Sequence, residues 1–73
     1  MSRDIIDALK KKYEAEVDIA KATIQIYLDK PVGIGEHAQF AEEIDKQLEA
    51  ITCATDKIKA IDKHYPNEDD IPF

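Results

Sequence analysis

A chain of 73 residues has room for one small domain and no more. Ten basic side chains against sixteen acidic ones leave a formal net charge of −6 at pH 7, which excludes a basic footprint for nucleic-acid phosphates and attraction to an anionic membrane surface. The same charge suits a protein partner with a basic patch. A single cysteine excludes an internal disulfide and fits a reducing compartment. No apolar run has the length of a bilayer span, and Met1-Ser2-Arg3-Asp4 turns acidic without the apolar core of a secretory signal, so the expected location is cytoplasmic. Two glycines and three prolines among abundant Ala, Glu, Lys, Asp and Ile point to helix rather than sheet.

The first predicted element is a helix over about residues 3–28, with Ser2 as its N-cap and Asp4 in its first turn. Ile6, Leu9, Tyr13, Val17, Ala20, Ile24 and Tyr27 follow one another at steps of three and four, the spacing of one helical face. A second stripe, Ala8, Ala15, Ile19, Ala22 and Ile26, is read as adjacent to the first and widening it. Lys10-Lys11-Lys12 reads as a solvated face. Pro31 disfavours helix in the residue before it, which ends the element near Leu28 or Asp29.

The connection Lys30-Pro31-Val32-Gly33-Ile34-Gly35-Glu36-His37 reads as a structural turn. As a phosphate cradle it lacks a preceding strand and a lysine followed by Ser or Thr, and Glu36 repels anions.

The second predicted helix covers about 38–65. Its stripe reads Phe40, Ile44, Leu48, Ile51, Ala54, Ile58, Ile61 and Tyr65, close to a heptad repeat, with Glu42 and Lys46 as an i,i+4 pair. Pro66 stops it. Residues 66–73 are acidic, hold two prolines and lack periodicity, so they read as a flexible tail on a helical domain of residues 1–65.

Two long helices and a short connection predict an all-α antiparallel hairpin. A lone hairpin buries little, and chains of this size usually need a staple or a partner. The expectation is a homodimer forming a four-helix bundle, with Ala15, Ile19, Ala22 and Ile26 as the oligomer or partner face.

No constellation for catalysis emerges. His37 and His64 lie near opposite ends of the second helix and share no spacing that places two metal ligands on one face. Cys53, flanked by Thr52, Ala54 and Thr55, has no base or positive neighbour to activate it and reads as a small packing residue. Tyr13, Tyr27 and Phe40 fall on the stripes as core residues. The expectation is a non-enzymatic protein with no metal and no cofactor.

The chain closes on Glu68-Asp69-Asp70-Ile71-Pro72-Phe73. Phe73 offers a ring and an α-carboxylate that an Arg can bind bidentately. Pro72 restrains the tip, and the three acids steer it toward a basic rim. This tip resembles the acidic C-terminal tip of bacterial single-stranded DNA-binding proteins, Asp-Asp-Asp-Ile-Pro-Phe, matching it at five positions with Glu for Asp at the sixth. The resemblance is confined to the tip, because the OB-fold and the long Gly-, Pro- and Gln-rich linker of that family are absent. It implies a protein partner with a basic-rimmed hydrophobic pocket, of the kind carried by replication, repair and recombination enzymes. The two Ala/Ile helices around Pro-Val-Gly-Ile-Gly-Glu-His resemble small uncharacterised proteins of tailed bacteriophages, which implies a phage protein acting in the bacterial host cytoplasm. The expected function is protein–protein interaction in DNA metabolism, with dimerisation adding avidity. Two alternatives are an accessory phage protein that packs on a larger partner through Ile19, Ile26 and Leu28, and an acidic inhibitor that mimics DNA.

Overall fold

The computed structural model describes residues 3–29 and 37–67. Among these residues two helices make up the fold, α1 over Asp4–Asp29 and α2 over His37–His64, and they pack on each other as a hairpin. Both fall within about one residue of the ends expected from the sequence. Asp4 and Asp7 occupy the first turn of α1, and Lys63 the last turn of α2, each opposing the helix-end partial charge. Ser2 and the 30–36 connection lie outside the described residues. Among those described, no helix is long and apolar enough to cross a membrane.

Contacts between distant parts of the chain fix the antiparallel orientation. At one end, the Arg3 guanidinium donates to the carbonyl oxygens of Tyr65 and Pro66 at 2.8 and 3.3 Å. Two turns along α1, Lys10 Nζ lies 2.7 Å from Asp62 Oδ1, and about one turn beyond that Lys57 Nζ sits 5.0 Å from the centre of the Tyr13 ring. At the other end Tyr27 meets Phe40 edge to face, ring centres 5.3 Å apart. Lys10 therefore leaves the solvated lysine run expected of it and bridges the helices. With Asp62 more than half exposed, that bridge contributes roughly half a kcal/mol.

The seam is thin. Among the described residues Ala20, Ala54 and Ile61 are buried, and the rest of the α1 stripe, Ile6 to Tyr27, is half-buried. Two of the three are alanines, whose single methyl lets the helices approach until it is covered.

The α2 seam departs from the predicted stripe at two positions. Leu48 is 50% exposed, whereas Gln47 beside it is half-buried. At roughly 100° per residue Gln47 falls near the middle of the face defined by Ile44, Ile51, Ala54 and Ile58, and Leu48 nearly a quarter turn away. Alternation of three and four residues, not hydropathy, selects the seam position. Tyr65 is 60% exposed because it follows the last helical residue, His64. The expected Glu42–Lys46 pair is replaced by Lys46 with Glu43, 3.3 Å apart.

Ile61→Ala is expected to cost roughly 2–3 kcal/mol, and Leu48→Ala less than about 1 kcal/mol. Chemical denaturation followed by circular dichroism ranks the two. A larger loss at Leu48 contradicts this seam.

Candidate protein-interaction site

The tail leaves the hairpin where Arg3 holds it. Its two nitrogens reach the Tyr65 and Pro66 carbonyls and also Asp7 Oδ1, at 3.3 Å, while Nε is buried without a partner. A planar guanidinium suits this bridging role, since its donors fan out in one plane. The Tyr65 amide completes the exit by donating to Ile61 O at 2.8 Å. Beside the exit lies a shallow apolar recess of about 230 Å³, lined by Ile6, Leu9, Tyr13, Ile61 and Tyr65 among others. The structure thus fixes the root of the tail against the start of α1. The tip residues Glu68, Asp69, Asp70, Ile71, Pro72 and Phe73 lie outside the described residues.

Arg3→Ala is expected to speed hydrogen exchange of the Tyr65 amide roughly fivefold, the equivalent of about 1 kcal/mol, by releasing the carbonyls that follow it. Unchanged exchange means that Arg3 does not hold the exit.

The second stripe is placed differently from its expected position. Ala8, Ala15, Ile19, Ala22 and Ile26 are all exposed, Ile19 by 65% and Ile26 by 56%. They sit roughly 150° around α1 from the seam, on its back rather than beside it. The stripe cannot widen the face that packs on α2. Ile5 at 74% exposure continues the outward line, while Leu28, 64% exposed, lies off it on the opposite flank of the seam.

The remaining candidates come no closer together than the sequence implied. His37 and His64 are the first and last residues of α2, about 40 Å apart along its axis. Among the described residues no three His, Cys, Asp or Glu side chains are grouped so as to hold a metal ion. Cys53 is exposed, which corrects its reading as a packing residue, since it faces away from the seam that buries neighbouring Ala54. What sequence reading missed is Arg3. An arginine near a chain start carries no local signal that its partners are carbonyls 62 and 63 residues away.

No family model, curated protein or solved structure matches this chain.

Proposed function

We propose that this chain is a non-enzymatic interaction module, phage-encoded, whose hairpin carries a tail that docks on host replication, repair or recombination proteins. The observation that carries this reading is the acidic Ile-Pro-Phe tip and its match to the tip of single-stranded DNA-binding proteins. The tail root held by Arg3 supports it, because the tip then starts from a fixed point on a rigid rod. Phe73 supplies the ring and the carboxylate for a pocket with an arginine at its rim. Ile71 and Pro72 supply a second apolar contact and a restrained backbone, which lowers the entropy lost on docking. Glu68, Asp69 and Asp70 steer the approach, so binding weakens as salt rises. The cytoplasm of the host is where such partners act.

Capture from bacterial lysate tests the proposal. The intact chain is expected to retain DNA-metabolism enzymes, and a chain lacking Phe73 is expected to lose them. Equal recovery by both forms rejects the tip.

The exposure of Ile19, Ile26 and Leu28 favours a second reading, an accessory protein packing on a larger partner through its helices. That reading predicts partners lost on changing those residues and kept on removing Phe73.

A further inference from the structure

We infer that the outward face of α1 is a self-association surface that pairs with α1 of a second copy in antiparallel orientation. The stripe is a strict heptad. Ile5, Lys12, Ile19 and Ile26 recur every seven residues, and Ala8, Ala15 and Ala22 recur every seven between them. Steps of three and four sustained over three heptads are what helix pairing requires and what solvent exposure alone does not. Two of the polar residues beside the stripe are already satisfied within the chain. Thr23 Oγ1 donates to Ile19 O at 2.8 Å and Gln25 Nε2 to Asp29 Oδ1 at 2.9 Å, so covering the face leaves neither without a partner.

The large and small positions choose the occupant and its direction. In a parallel pair each isoleucine meets its own copy and Lys12 faces Lys12, a like-charge contact inside the interface. Reversing the second helix sets isoleucines against alanines, so large side chains enter the space left by small ones and the axes close toward the ~8 Å end of the usual range.

Charge then selects the register. Placing Ile19 against Ala15 of the second copy brings Asp18 against Asp18 and Glu16 against Glu16. Placing Ile19 against Ala8 of the second copy puts both Lys12 side chains at the centre of the interface. Placing Ile19 against Ala22 of the second copy, and Ala15 against Ile26, leaves a wholly apolar centre. Lys12 then meets Asp29 of the second copy at each rim, opposite charges at the solvent edge. This last register is the one we assign.

Because the stripe lies on the back of α1, the four helices form a row, α2–α1–α1–α2, and not a bundle around one shared core. The tail roots fall at opposite ends, about 50 Å apart along the α1 axes. Two tips so placed engage two separate partners instead of adding avidity at one. This consequence, unlike the dimer itself, rests on the tail being the binding element.

Sedimentation equilibrium of the full chain tests the pairing. The expected mass is twice the 8.3 kDa of one chain at 100 µM, and Ile19→Glu is expected to weaken association at least 100-fold while Leu48→Glu leaves it unchanged. A wild-type monomer at that concentration, or an Ile19→Glu variant that dimerises normally, overturns the inference. Cross-linking in a Cys53→Ser background fixes the register without a disruptive charge. Ala15→Cys with Ile26→Cys is expected to form covalent dimers on mild oxidation, and Ala15→Cys alone to form none. Dimers from Ala15→Cys alone mean parallel pairing, and dimers only from Ala8→Cys with Ile19→Cys mean the lysine-centred register. Either result overturns the assignment.

Discussion

Ala54→Glu is expected to unfold the hairpin. Ala54 is 1% exposed, the most completely covered side chain among the described residues, and its methyl sits where α1 lies over α2. A glutamate there must either drive the helices apart or bury a carboxylate without a partner, each a cost of several kcal/mol. A domain of this length has only about 4–11 kcal/mol of stability in total. A seam whose other buried members are Ala20 and Ile61 has little else to hold it closed. Ala50→Glu serves as the control, since Ala50 is exposed on the same helix and the change in helix propensity is a few tenths of a kcal/mol. Far-UV circular dichroism is expected to lose most of its helical signal in the first variant and none in the second. If Ala54→Glu melts like the wild type, the helices do not meet at Ala54.

Removing Phe73 is expected to weaken partner capture by about 30- to 1,000-fold, a loss of roughly 2–4 kcal/mol, the range of an aromatic hot spot in a desolvated pocket. The deletion acts twice. It empties the apolar slot, and it moves the α-carboxylate onto Pro72, whose ring cannot extend it to the same arginine. Asp69→Ala and Asp70→Ala are expected to do less, a few-fold each, mostly through slower association, and that effect fades at high salt. A tip whose capture is insensitive to Phe73 but lost with the acidic residues behaves as a DNA mimic, and DNA then competes for the same partner.

Most of the fold is legible in the sequence because breakers and periodicity act locally. Pro31 and Pro66 close the two helices, and the α1 stripe from Ile6 to Tyr27 reappears as its half-buried face. Leu48 shows where hydropathy misleads. The seam follows three-four alternation through Gln47, so the more apolar residue stays wet. The outward stripe was visible as a pattern but not as a place, because adjacency in sequence conceals an angular separation of most of a half turn. Lys10 and Arg3 were opaque for another reason, since their partners come from the far end of the chain. The tip is the opposite case. Recognition of an acidic Ile-Pro-Phe segment depends on its own side chains and backbone restraint, so its chemistry is readable without a fold around it.

The most direct test of the tip's role is competition by the free octapeptide spanning Pro66 to Phe73. Partners captured from lysate on the immobilised intact chain are challenged with this peptide, and in parallel with the same peptide lacking Phe73. The tip account predicts that the full octapeptide releases them at micromolar concentration and that the shortened one does not. Partners that stay bound through both challenges contradict it and assign the binding to the helical faces.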